Sequence, residues 1–249
     1  MTSWCDKLAS TPTVGLRVTP FYHPSEQIIS ALAPILNGEM EGEKQTFNLE
    51  ALEAFKVVIN TNSGFLYSVD YNAITVAFNH RMKAKPISGG PPTMELISKP
   101  APYTELLYAV TDRLIHLVDL LLPLLRNRQI HRVGIVSSTA VLNEDAPPGV
   151  QSLFNEIGKP FGGEAETFNL SLTNKLSSND DRVDRCIYQL IRPDESDKLM
   201  NINLDWQRHF AKPRNITESI LKSNMKESIV DALDHFERFA EGGLSETIS

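Results

Sequence analysis

An order of elements occurs twice along these 249 residues, and it constrains the fold more than any single motif. In the first pass, Val14, Leu16, Val18 and Phe21 alternate imperfectly with Arg17 and Thr19, which predicts a strand over Thr13–Phe21. Pro24-Ser25-Glu26 then suits a helix start, because proline is tolerated in a first turn and an early acid complements the helix dipole. Ile28, Ile29, Leu32, Ile35 and Leu36 give this helix, Pro24–Leu36, one apolar face, and Pro34 kinks or ends it. Strands are expected near Phe55–Thr61 and Ile74–His80. Between them, Phe65–Val69 and Ala73–Phe78 read as one bent strand or two around Asp70-Tyr71-Asn72. A long helix over Tyr103–Arg126 follows, with Leu106, Leu107, Val110, Leu114, Leu117, Val118 and Leu121 at helical spacing and Thr104 as its expected cap.

The second pass opens with a strand over His131–Leu142 and a helix over Pro148–Ile157. Phe168, Leu170 and Leu172 predict one strand, Val183, Ile187 and Leu190 another, with Ser177–Asp184 as their hairpin connection. Leu199, Ile202, Leu204 and Trp206 suggest one more strand. Thr217–Phe239 reads as a final helix, ended by Gly242-Gly243. The expected fold is α+β: a single domain, 1–249, of two pseudo-repeated β-α-β-β-α halves that form a mainly antiparallel sheet covered by long helices. The proline-rich stretch Lys85–Pro102 reads as a linker or covering loop, which sets the halves at about 1–102 and 103–249. A duplicated sheet has a seam, and seams are where ligands or partners bind.

Composition narrows the function classes. The net charge of −7 argues against extensive nucleic-acid binding, which rests on clustered Lys and Arg, and against an anionic membrane surface. Cys5 and Cys186 form no C-x-x-C pair and have no histidine at ligand spacing, so both are expected as free thiols in a reducing cytoplasm. The longest apolar stretch, Leu114–Leu125, is interrupted by His116, Asp119 and Pro123 and is shorter than the roughly 20 residues a bilayer requires. No signal peptide is expected from the first residues.

No motif assigns a catalytic residue, a metal ligand or a cofactor. The six histidines never fall at i+2, i+3 or i+4 from one another. The glycine-rich Gly158–Gly163 lacks the phosphate-loop order and reads as a turn, and the charged Glu39–Lys44 reads as a surface loop. Asn179–Asp184 clusters acids where a solvated hairpin turn is expected. Arg17 and Arg132 have more interest. They occupy corresponding places on the first strand of each half, where two arginines near a pseudo-dyad could hold an anion or a partner carboxylate. Tyr71 and Phe78 are expected to line the same cleft.

The segment Arg132-Val133-Gly134-Ile135-Val136 after a long amphipathic helix resembles a sporadically distributed, uncharacterised prokaryotic α/β family, as do the opening β-α-β-β order and the final helix after the Leu204-Asp205 strand. In that family the central strand usually reads as an arginine, a hydrophobic residue, glycine and then a further arginine-tyrosine pair; here Val136-Ser137 replaces that pair. The family brings no established activity. Its patchy distribution implies an accessory gene, such as a component of a mobile or antiviral defence operon.

Three functional readings follow. The first is a non-enzymatic binding or scaffold subunit of a multi-protein system, holding a neighbouring gene product or another copy of itself. The second is a sensor with a small ligand at the seam, on Arg17, Arg132, Tyr71 and Phe78. The third is a metal-dependent hydrolase or nuclease using acids such as Asp70, Asp181 and Asp184.

Overall fold

The computed structural model describes residues 3–37, 47–87, 90–96, 101–158, 167–192 and 199–243. The Glu39–Lys44 loop, most of Gly158–Gly163 and the tail after Gly243 lie outside the described residues. The chain opens with a short helix α1 (Trp4–Lys7) and strand β1 (Thr11–Val18). Two short helices follow, α2 (Ser25–Ala31) and α3 (Ala33–Leu36), so the Pro24–Leu36 helix breaks at Leu32, two residues before Pro34. Next come β2 (Phe47–Glu53), β3 (Lys56–Thr61), β4 (Phe65–Asp70) and β5 (Ala73–Phe78). A hairpin of β6 (Met82–Ile87) and β7 (Gly90–Leu96) leads to the long helix α4 (Tyr103–Leu121). Strand β8 (Gln129–Leu142), helix α5 (Pro148–Gly158), strands β9 (Phe168–Ser178), β10 (Arg182–Arg192) and β11 (Leu199–Asn215), and helix α6 (Glu218–Glu241) complete it.

Nine strands form one sheet in the order β2-β3-β4-β5-β1-β8-β11-β10-β9, and every neighbouring pair is antiparallel. The centre is the β1–β8 pair, in which Gly15 lies opposite Gly134 and Arg17 opposite Arg132. Outward from it, β5-β4-β3 on one side and β11-β10-β9 on the other are antiparallel meanders.

Period-two alternation decides which face is covered. Val14, Leu16 and Val18 of β1, Ile74 and Val76 of β5, Val133 and Ile135 of β8, and Leu204 and Trp206 of β11 are buried on one face. Helix α4 packs over β1 and β5, both of which precede residue 103, and α6 packs over β8 and β11. The apolar rows of α4 (Leu107, Val110, Leu114, Leu117) and of α6 (Leu221, Met225, Ile229, Phe236) close this core.

The helix ends are fixed by specific partners. Thr217 caps α6, its Oγ1 accepting from the Ile220 N–H, and Gly242 ends that helix at φ 83°. Gly149 is required where α5 starts against the end of α6, since a Cβ there would sit 1.9 Å from the Phe239 carbonyl oxygen. Thr104 does not cap α4. Its backbone N–H instead donates to Asp6 Oδ1 at 3.0 Å, so a carboxylate from α1 does the work at that helix's positive end.

The stretch read as a linker, Lys85–Pro102, is structured over much of its length. The β6–β7 hairpin pairs only with itself in a separate two-stranded sheet. Prolines 86, 91 and 92 are tolerated there because a two-stranded ribbon leaves one edge of each strand free of ladder bonds.

Candidate functional site on the uncovered sheet face

The opposite face of the central strands carries a different alphabet. Row by row across β1, β8, β11 and β10, it presents Arg17–Arg132–His209–Val183, then Gly15–Gly134–Gln207–Arg185, then Thr13–Val136–Asp205–Ile187, then Thr11–Ser138–Asn203–Gln189. Strand β11 contributes Asn201, Asn203, Asp205, Gln207 and His209 to this face, all able to hydrogen-bond, while Met200, Ile202, Leu204, Trp206, Arg208 and Phe210 point into the core.

Two features shape the site. The directly opposed glycines let neighbouring side chains lie over the backbone at the seam: a Cβ on Gly15 would meet Thr75 Cγ2 at 2.6 Å, and one on Gly134 would lie 3.7 Å from Asp205 Oδ1. Around that glycine pair stand Arg17, Arg132, Arg185 and His209. Arg17 donates to the Asn72 side-chain carbonyl. Arg132 donates to Gln207 Oε1 at 3.0 Å, and His209 Nε2 lies 3.1 Å from the same oxygen, to which it must donate. Gln207 passes the connection on, its Nε2 donating to Asp205 Oδ2 at 2.6 Å. One amide therefore bridges a cation to a carboxylate.

Among the described residues, none of Arg17, Arg132 and Arg185 is ion-paired. Two arginines facing each other across a strand pair repel, and Asp205 offsets that at Arg132 without forming an ion pair. Burial lowers the Arg132 pKa and the Arg17 charge adds to that, against the pull of Asp205. Burial raises Asp205, opposed by the Gln207 hydrogen bond and by Arg132. His209 is lowered by burial first and then by Arg132 and Arg185, which favours its neutral form. The arrangement suits an incoming carboxylate or phosphate: a half-buried Arg132 held by Gln207, with the exposed Arg17 and Arg185 beside it, and Asp205 as the patch's own carboxylate.

The residues expected at the seam divide. Arg17 and Arg132 come together as direct cross-strand partners in one patch. Tyr71 lies in the β4–β5 turn beside Asn72. It is 39% exposed, and its ring stacks on Tyr22 with centroids 5.7 Å apart. Phe78 is not in the site. It is 3% exposed on the helix-covered face, edge-on to Phe65, because its alternation follows Ile74 and Val76 inward. Asp184 is likewise misplaced by the reading of Asn179–Asp184 as a solvated turn. The turn is Asn179-Asp180-Asp181, and Asp184 is buried on β10, where both its oxygens accept from Arg208 at 2.9 Å. Asp70 belongs to the other half of the sheet and accepts from the Tyr71 N–H. The proposed trio of hydrolase acids does not assemble.

Sequence reasoning missed Gln207, His209, Asp205 and Arg185. The signal was present in Asn201-Ile202-Asn203-Leu204-Asp205-Trp206-Gln207, a strict polar–apolar alternation that names an uncovered polar row. Among the described residues no group of three or more His, Cys, Asp or Glu side chains could hold a metal ion, and no helix is long and apolar enough to cross a membrane. No protein-family model, no curated protein and no solved structure matches this chain.

Proposed function

We propose that this chain is a non-catalytic binding subunit that uses the uncovered face of its central strands to hold an acidic segment of a partner protein. The observation that carries the reading is that Arg17, Arg132 and Arg185 surround the Gly15–Gly134 pair and, among the described residues, make no ion pair there, Asp205 being joined to Arg132 through the Gln207 amide. In a chain of net charge −7, this local positive field complements an acidic partner and not a second acidic surface at large. The breadth of the face, four strands wide and open, suits an extended segment better than an enclosed metabolite. We read the two halves as products of duplication: in each, a strand, a helical segment, an antiparallel meander and a long helix follow in turn, and the first strand pairs with the last strand of the meander, with the β6–β7 hairpin as an addition to the first half. The seam then falls on the β1–β8 pair. The resemblance to a patchily distributed prokaryotic family supports placing the subunit in an accessory multi-protein system.

The test is fluorescence anisotropy of a labelled glutamate-rich peptide against the full chain, with citrate and a single-stranded oligonucleotide as competitors. The expected result is peptide binding that weakens with salt and falls at least about tenfold in Arg17→Gln or Arg132→Gln. Citrate binding as tight as the peptide's would favour the sensor reading. No binding of any anion would sink the assignment of this face.

A further inference from the structure

The same face holds a second concave region at its other end, away from the arginines. Ser138 stands six residues along β8 from Arg132, which is about 20 Å of extended strand. Here lies an open groove of about 600 Å³, within the range of small-molecule clefts. Its polar lining is Thr11, Ser138, Thr139, Asn201, Asn203, Gln189 and His80, with no Asp, Glu, Lys or Arg among the described residues. The polar groups are ordered into a directed chain. Ser138 Oγ donates to Asn203 Oδ1 at 2.9 Å, and Asn203 Nδ2 donates to Gln189 Oε1 at 2.9 Å. One wall is fixed independently, since Thr139 Oγ1 donates to the Leu8 carbonyl at 2.8 Å and Ala9 holds a left-handed φ of 48°. The groove is therefore built before any ligand arrives.

We propose that this groove binds an uncharged, hydroxyl-rich ligand of mono- or disaccharide size. A charged ligand would meet no opposite Asp, Glu, Lys or Arg charge among the described lining residues. The chain leaves one Asn203 N–H and both Gln189 N–H groups directed beyond the Ser138–Asn203–Gln189 bonds, beside amide oxygens with spare lone pairs. Donor and acceptor side by side is what adjacent hydroxyls of a sugar require, since each hydroxyl both gives and takes. The aliphatic lining, Leu8 and Ile191, accepts the C–H face of a pyranose ring. A nucleobase would want an aromatic platform, and the one ring among the described lining residues, His80, is packed edge-on against Phe78.

Saturation-transfer NMR and thermal shift on the full chain test this with glucose, mannose, galactose, maltose and adenosine as probes. At least one sugar is expected to bind, with affinity falling about tenfold or more in Asn203→Leu and in Gln189→Ala and unchanged in Arg132→Gln. Gln189 is exposed, so its variant keeps the test valid if Asn203→Leu fails to fold. The proposal is overturned if no sugar binds, if binding survives both folded variants, or if adenosine binds in preference to every sugar.

Discussion

Arg208 and Arg132 sit on opposite faces of one sheet, and their partners differ in kind. Arg208 has no solvent exposure on the helix-covered face. It makes a bidentate contact with Asp184, reaches Asp231 on α6, and has Glu227 at 3.6 Å. Arg182 joins the same three acids. Arg132 has a neutral amide, another arginine, and a carboxylate, Asp205, with which it forms no ion pair. The pKa directions follow. Burial opposes the Arg208 charge, yet the hydrogen bonds and charges of Asp184 and Asp231 outweigh it and the net shift is upward. At Arg132 burial and Arg17 prevail and the shift is downward. A charge that the fold itself uses is neutralised inside the fold. A charge left on amides at a seam is available to something that arrives.

The comparison can be broken most severely at Arg208. Replacing it by alanine removes both 2.9 Å bonds to buried Asp184 and leaves it only Ser177 and the 3.8 Å contact with Arg182, and the cost expected is about 3–5 kcal/mol in urea unfolding. The double replacement Arg208→Met with Asp184→Leu should recover most of that loss, because it removes the stranded charge as well as the pair. A loss below about 1 kcal/mol in the single variant would mean that the network is no more than a surface ion pair.

A second buried group sharpens the contrast through pH. His235 of α6 is 7% exposed, and the Tyr188 hydroxyl lies 2.6 Å from its Nε2, to which it can donate only while that nitrogen is unprotonated. Burial, with Arg238 adding, lowers its pKa from 6.5 to about 4. The unfolded chain therefore takes up the proton first. Stability from this residue is fully present above about pH 6.5 and is lost as pH falls toward 4, amounting to roughly 2–3 kcal/mol between pH 7.5 and 4.5. Unfolding of His235→Leu over that range should lack this component, measured as the difference from the parent chain. Equal slopes in both proteins would refute the lowered value.

Much of the inner face was legible in the sequence. The apolar rows of the helices, the Thr217 cap and the Gly242 stop are local signals, and local signals survive into the fold. Arg208 in the row Leu204, Trp206, Arg208, Phe210 was also a signal, since an arginine in an apolar row has to meet an acid, and Asp184 occupies the matching place before Cys186 and Tyr188. What no local pattern could supply was register. That Arg17 faces Arg132, Gly15 faces Gly134 and Gln207 joins Arg132 to Asp205 depends on strands far apart in sequence pairing in one alignment of many. The β6–β7 hairpin was hidden for another reason: its prolines speak against strands in the interior of a sheet and are silent about an isolated ribbon.

The smallest expected effect on stability is the most informative about function. Arg132→Gln removes a like-charge neighbour from Arg17 and keeps a polar group in reach of Gln207. Its stability should stay within about 0.5 kcal/mol of the parent chain, or rise slightly, because the lost hydrogen bond is offset by the relieved repulsion. The same change should abolish most of the anion binding. A residue kept for the fold behaves the other way round, as Arg208 is expected to. If Arg132→Gln instead unfolds the chain more readily by several kcal/mol, the uncovered face is part of the scaffold and the distinction between the two arginines disappears. Measuring urea midpoints and peptide anisotropy on the same preparations of both variants decides between these outcomes, since each arginine then serves as the control for the other.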